Sequence, residues 1–228
     1  MKLSYKIKKL GTAETYLRSW RRIQRLAHPI RIGPMFNRLD QSKIQSIQER
    51  YRDSTAHYAK YVDIRRWLSW NTRRVQDLKL HRSPRQSVLD LGCGGGFFLY
   101  ILQQLGHECL GCDLDEFELF TELIDLFDLQ RVTWRIEAFQ ALPDFGRQFD
   151  QITAFSTAFN RNEERTIWWG PEQWRFFLKD IQSRLNPGGR MVIGLNPDNR
   201  GRFYTPELLE FFRSFGAKID REIVSIRC

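Results

Sequence analysis

The twelve residues Val88 to Leu99 read VLDLGCGGGFFL. A short apolar run meets a cluster of glycines and then a second apolar run. That order constrains the fold more than any other stretch, because it reads as a buried strand, a tight turn and a helix. Glycine at such a turn lets the backbone approach a ligand closely. A triphosphate loop requires GxxxxGK[ST], and no lysine follows these glycines. A dinucleotide fingerprint requires GxGxxG, yet the third position counted from Gly92 is Phe97. The chain offers GxGxG, which carries no clear demand for a pyrophosphate.

From Ser87 onward the rhythm is strand then helix. SVLDLG, HECLGCDLD, VTWRIEA, FDQITAF and GRMVIGLN read as strands. FFLYILQQLG, EFELFTELIDLF and PEQWRFFLKDIQSRL read as helices between them. Thr205 and Pro206 are the expected N-cap and first turn of a last helix that Gly216 closes, leaving AKIDREIVSIR as the final strand. Such alternation predicts an α/β, Rossmann-like, mainly parallel sheet with helices on both faces. Its ligand is expected beyond the carboxyl ends of the strands, where the strand order reverses.

Residues 1–85 read differently. They are expected to form a basic helical N-terminal extension or cap, with 86–228 as the ligand-binding domain. Ala13 to Ala27 places Tyr16, Trp20, Ile23 and Ala27 on one helical face. Pro29, Gly33 and Pro34 are expected to break that pattern, and a second helical region is expected over about Gln41 to Leu80. The extension holds 21 Lys and Arg against 6 Asp and Glu, while 86–228 holds 15 against 21. A basic segment of this kind meets nucleic acid, anionic lipid, an acidic substrate or the acidic face of its own second half. No apolar run reaches the roughly 18–20 residues of a membrane span. The N-terminus lacks an apolar signal core, and the four cysteines form no secreted disulfide pattern. A cytoplasmic setting is the expectation.

Two acids flank the glycine turn. Asp90 precedes Gly92 by two residues, and Asp113 ends the next strand, 21 residues after Gly92. A carboxylate at that second place matches two ribose hydroxyl donors. The implied ligand has a ribose and a cationic or zwitterionic part near Asp90. S-adenosyl-L-methionine fits that description.

VLDLGCGGGFFL resembles the first motif of class I S-adenosylmethionine-dependent methyltransferases. GCDLDE resembles their second motif, IEAFQALPDFGRQFDQITAF the stretch that follows, and LNPGGRMVI the segment after the fourth strand. The likeness covers roughly residues 58–228 and is closest from 86. It implies that Asp90, Gly92 and Gly94, with Cys93 in the same turn, line the methionine part of the cofactor. It implies that Asp113 binds the ribose, with Leu114 against the adenine and Ala138 and Phe139 at its border, and that Phe155 faces the reactive centre. The family often has an acid where Ala138 stands. It also usually ends in an antiparallel strand pair, whereas the tail here is expected to hold one good strand.

No catalytic base is legible; His57 and Asn160 are the weak candidates. Tyr58 or Tyr61 is expected to close over the cofactor. Trp168, Trp169 and Trp174 either wall an acceptor pocket or pin the next helix to the core. Cys109 and Cys112 form a lone CxxC without histidine partners, so packing is expected and no metal site. His107 is expected to be a solvent-facing turn residue. The NPPY-like motif of some amino-group methyltransferases is absent, AFSTAFN standing in its place.

Three functions fit. The first is methyl transfer to an O, N or C nucleophile of a small-molecule or glycan-like acceptor. The second is an RNA- or polyanion-directed methyltransferase recruited by residues 1–85, where Tyr16, Trp20, Tyr58, Tyr61, Trp67 and Trp70 interleave with arginines. The third is a non-catalytic S-adenosylmethionine-binding protein in peripheral contact with membrane through the Trp20 helix.

Overall fold

The computed structural model describes residues 20, 23, 25–162 and 166–227. Seven strands form one sheet in the order β3-β2-β1-β4-β5-β7-β6. These are β1 (Ser87–Leu91), β2 (Glu108–Asp113), β3 (Arg131–Thr133), β4 (Phe149–Thr157), β5 (Leu185–Leu195), β6 (Lys218–Asp220) and β7 (Ile223–Arg227). The first five run parallel, and β7 joins β5 antiparallel. The mainly parallel α/β expectation holds. The chain moves outward from β1 to β3 and returns to β4, so the reversal lies between β1 and β4.

The helices are α1 (Ile32–Asn37), α2 (Gln41–Arg50), α3 (Ile64–Asp77), α4 (Phe97–Gln104), α5 (Glu118–Leu126), α6 (Pro171–Ser183) and α7 (Pro206–Ser214). Local chemistry sets their starts. Asp40 accepts from the amides of Ser42 and Lys43, and Asp63 from Arg66 N. Thr205 accepts from Leu208 N with Pro206 in the first turn, as the sequence reading expects. Every residue of α4 from Phe97 to Leu102 is buried. A helix apolar all round needs cover on both sides. The sheet supplies one side. On the other, α3 buries Ile64, Leu68, Asn71 and Val75 along a single face. One apolar cluster therefore runs from Met35 through α3 and α4 to Phe127. Trp174, Phe177 and Phe212 anchor a second cluster on the opposite face of the sheet.

Several local expectations are corrected. Gly33 and Pro34 lie inside α1, because proline is tolerated in a first turn where its missing N–H has no helical partner. The helical region expected over Gln41–Leu80 divides after Arg50, where Arg52 to Thr55 favours turns and Ser54 Oγ accepts from Ala56 N. The strand expected over Val132–Ala138 stops at Thr133, where its neighbour β2 ends. The tail holds two strands. Arg221 adopts φ 54°, and the short β6 folds back onto β7 there. His107 is buried: its Nδ1 accepts from Gln86 N at 3.1 Å, and Nε2 donates to Leu80 O at 2.9 Å.

Most of Ala13 to Ala27 lies outside the described residues. Residues 20, 23 and 25–27 are helical, and Arg25 forks onto the Asp77 carboxylate at 2.8–3.1 Å. Among the described residues, Arg50 pairs with Glu118 and Glu122, and Arg85 with Glu108. The acidic second half thus meets part of the basic charge. No helix among the described residues is long and apolar enough to cross a membrane.

Candidate active site

A cavity of about 1330 Å³ opens at the carboxyl ends of β1, β2 and β4. Its floor is the glycine turn. Gly92, Gly94 and Gly96 take φ of 73°, 55° and 75°, a region that side chains strain to enter. The turn is tied to β2 twice: Gly92 N donates to Cys112 O at 2.7 Å, and Gly94 N donates to Asp113 Oδ2. Asp113 Oδ1 accepts from Leu114 N at 2.7 Å. Burial nevertheless holds the Asp113 carboxyl above its ordinary range, against the two backbone donors and Arg131. Each carboxylate oxygen has two lone pairs, so one on each remains for a hydroxyl donor.

Asp90 sits deeper, at 4% exposure. Thr153 Oγ1 donates to its Oδ1 at 2.6 Å. Burial pushes its carboxyl up to about 7, although Thr153 and Arg74 pull it down. A group so placed is short of positive charge, and an ammonium supplies it.

Arg74 comes from α3. Its guanidinium lies 4.8 Å from the Phe155 ring centre and 4.9 Å from that of Trp70. It donates to Asn71 Oδ1 at 3.2 Å and to Ser156 Oγ at 3.1 Å. Desolvation lowers its proton affinity, and the charge of Asp90 restores part of it. Ser156 holds φ 55°, and the β4–β5 register shifts between Phe155 and Thr157. A bulge at a strand's end re-aims the residues beside it. Here it sets Phe155 and Ser156 around one guanidinium.

Leu114, Phe117, Phe120, Trp134, Ile136 and Ala138 give the cavity an apolar flank. Trp134 Nε1 is buried without a partner, leaving a donor for a ligand acceptor. Glu116 and Arg135 pair at the same flank. On the far side Tyr61 packs against Trp67 with ring centres 4.5 Å apart, and Lys60 Nζ lies 5.2 Å from the Tyr61 ring centre. Trp70 packs edge-on to Trp67, and Arg161 lies over the Trp168 ring elsewhere in the lining.

The expected cofactor residues Asp90, Gly92, Cys93, Gly94, Asp113, Leu114, Ala138 and Phe155 all line the cavity. Phe139 does not. Its backbone turns through φ 60° and its ring packs edge-on against Phe176 at the surface. His57 reaches the wall, edge-on to Phe117, whereas Asn160 is buried outside the lining with its Oδ1 unpartnered. Tyr61 lines the cavity; Tyr58 packs behind it against Phe117. Trp168 lines it too. Trp169 also reaches the lining but packs on Phe159, Trp174 and Phe177, and Trp174 is wholly buried. No cluster of His, Cys, Asp and Glu that could hold a metal ion occurs among the described residues, and Cys112 is core. Arg74, Phe117, Phe120 and Trp134 join the site without being read from the sequence, whereas Trp70 is among the aromatics read there as base-stacking candidates. Of those four, only Arg74 left a signal, through Asn71, the polar residue on the buried face of α3.

Part of the chain is similar to known proteins. Residues 88–189 match the family model described as "Methyltransferase domain". Among curated proteins, the chain is 24% identical over 135 residues to a tRNA U34 carboxymethyltransferase of Nautilia profundicola, covering 58% of this chain and 40% of that one. It is 25% identical over 156 residues to the protein of that name from Idiomarina loihiensis, covering 66% and 45%. The match thus spans less than half the length of these curated relatives. Among solved structures, DesVI of Streptomyces venezuelae aligns with a TM-score of 0.45 at 15% identity, over 71% of this chain and 60% of that one.

Proposed function

We propose that the chain is a class I, S-adenosylmethionine-dependent methyltransferase, its residues 88–189 matching the methyltransferase domain model, and that it transfers the sulfonium methyl group to a base of an RNA. The observation that carries the cofactor half is the pair of carboxylates, buried Asp90 and half-buried Asp113, on either side of three left-handed glycines. S-adenosylmethionine would bring an already activated methyl group to this cavity.

The residues present fit that molecule. The spare lone pairs of Asp113 suit a ribose diol. Leu114, Phe117, Phe120 and Ala138 suit an adenine face, with the unpartnered Trp134 Nε1 as a donor at its edge. Asp90 suits an α-ammonium and Arg74 an α-carboxylate, so buried Asp90 and half-buried Arg74 each gain a partner. With an activated methyl group, positioning supplies most of the rate, up to about 7–11 kcal/mol. The rigid parts here are Phe155, the Arg74 guanidinium that it covers and the bulged end of β4. His57 is the titratable side chain at the wall best suited to take a proton from an acceptor that arrives protonated.

The acceptor half rests on Lys60, Trp70, Arg161 and Trp168, aromatic and cationic members of the cavity lining. Aromatic faces stack bases, and cations meet phosphates. The basic charge of residues 1–85 and the tRNA-directed names of the relatives support the same reading. One observation favours a small-molecule or glycan-like acceptor instead: the cavity has room for a cofactor and one compact acceptor together.

Calorimetry with S-adenosylmethionine, its demethylated product and NAD tests the first half; binding of NAD alone refutes it. Release of S-adenosylhomocysteine in the presence of total RNA tests the second. Loss of release after ribonuclease treatment is expected. Release that survives nuclease supports the small acceptor.

A further inference from the structure

A second cavity, of about 430 Å³, lies away from the first. The two sit at opposite ends of α4. Phe97 and Phe98 line the first cavity and Gln104 and Leu105 the second, about 10 Å apart along the helix. The charged side chains around it are Arg31, Arg38 and Arg82, accompanied by His28 and His81, and no carboxylate lines it.

Such a gathering of like charge is unfavourable without a counter-charge. Elsewhere in the chain Arg25, Arg50 and Arg85 each meet an acid. Here Arg38 donates to the neutral Gln104 Oε1 at 2.9 Å, and among the described residues Arg31 and Arg82 make no ion pair. The partial negative charge at the carboxyl end of α4 amounts to about half an elementary charge, far short of three guanidiniums. The His28 and His81 rings lie 6.3 Å apart across a 52° tilt. His81 Nδ1 is buried and has no partner. Burial first, then Arg82 and His28, push the His81 imidazole below its ordinary range, against a backbone hydrogen bond with Val75. Scattered surface arginines are ordinary. Three of them converging with two imidazoles on one concavity that no carboxylate lines are not.

We propose that this second cavity is a phosphate-binding site. Guanidinium forks match phosphate oxygens in pairs, and a tetrahedral oxyanion accepts from several donors at once. The phosphate arrives either within an RNA backbone or on a small phosphorylated solute. The site needs no assumption about the methyl acceptor, and its lining shares no residue with the first cavity.

The test uses the full chain in phosphate-free buffer at about 50 mM salt, where phosphate contacts are strong. Inorganic phosphate and octauridylate are the probes. The variant is the double substitution Arg31→Gln, Arg82→Gln, with S-adenosylmethionine binding as the control. Wild type binds at least one probe, and the double variant binds it at least about tenfold more weakly, one lost charge-assisted pair being worth about that factor. Its cofactor affinity is unchanged. Weakening seen with octauridylate alone assigns the site to RNA backbone; weakening seen with inorganic phosphate as well assigns it to any phosphate group. Should the double variant lose its thermal transition, protection of Arg31 and Arg82 in wild type from an arginine-selective dicarbonyl reagent replaces it. Wild type that binds neither probe, a double variant that binds both as wild type does, or equal modification with and without phosphate overturns the proposal. Failure of RNA methylation does not touch it, so the two readings fall separately.

Discussion

Asp113 grips the glycine turn from the next strand: one carboxylate oxygen accepts from Gly94 N and the other from Leu114 N. The carboxylate that faces the ligand also fixes the backbone that cradles it. Binding chemistry and loop geometry therefore fail together when Asp113 is lost. Asp113→Ala is expected to weaken S-adenosylmethionine binding about 100-fold, from the loss of two charge-assisted hydrogen bonds to the ribose. Titration calorimetry reads it, and wild-type affinity in that variant would refute the ribose assignment.

Arg74 and Asp90 are expected to divide the amino-acid end of the cofactor. Arg74→Leu keeps much of the side-chain volume against Trp70 and Phe155 but removes the charge. S-adenosylmethionine is expected to bind at least about tenfold more weakly, the worth of one charged hydrogen bond. 5′-Methylthioadenosine, which lacks the amino-acid tail, is expected to bind Arg74→Leu and wild type alike. Equal losses for both ligands would show general damage to the cavity.

Asp90 makes stability depend on pH. Its carboxyl is raised from 3.8 to about 7 in the folded protein, so the folded state takes up its proton first. That contribution is fully present below about pH 4 and is lost as pH rises through 7. Relative to Asp90→Asn, ligand-free wild type is expected to be less stable by roughly 2–4 kcal/mol at pH 8, a gap that closes toward pH 4. Urea titrations of both proteins across that range check it. Saturating S-adenosylmethionine is expected to shrink the gap at pH 8 by supplying the missing cation.

Gly96 starts α4 at φ 75°, and a Cβ there would stand 2.6 Å from Leu129 Cδ1. Gly96→Ala combines a left-handed penalty of about 1–2 kcal/mol with overpacking of about 1–3 kcal/mol. A loss of roughly 2–5 kcal/mol in urea unfolding is expected. A loss below about 1 kcal/mol would mean that Leu129 and Ile124 move aside.

Trp70 is 44% exposed and covers Arg74 at the acceptor side. Trp70→Ala is expected to lower kcat/KM for the acceptor by about tenfold, the lower end of what one stacked base contributes. Its S-adenosylmethionine affinity is expected to change by less than threefold. Steady-state assays under saturating cofactor check the first figure and calorimetry the second.

The sequence by itself determined the parallel strands of the sheet, its glycine turn and both acids beside it, but not the strand pair at the tail. Those features are local: apolar runs of strand length, glycines where φ is positive, and a carboxylate at a strand's end. Leu114, Ala138 and Phe155 were legible only through the resemblance of the motifs to class I methyltransferases, and each lines the cavity. Phe139 went astray through a single left-handed backbone angle, and His107 because a turn residue can still be sealed by Gln86 and Leu80. What only the tertiary structure decided is the far wall of the cavity. Arg74 and Trp70 belong to a helix that precedes the sheet, and nothing in their own neighbourhood says that α3 must cover α4. That follows from α4 being apolar on every side, a demand met by a segment distant in the chain. The second cavity has the same origin. His28, Arg31 and Arg38 meet His81 and Arg82 only because α3 and the sheet bring two separate stretches to one end of α4.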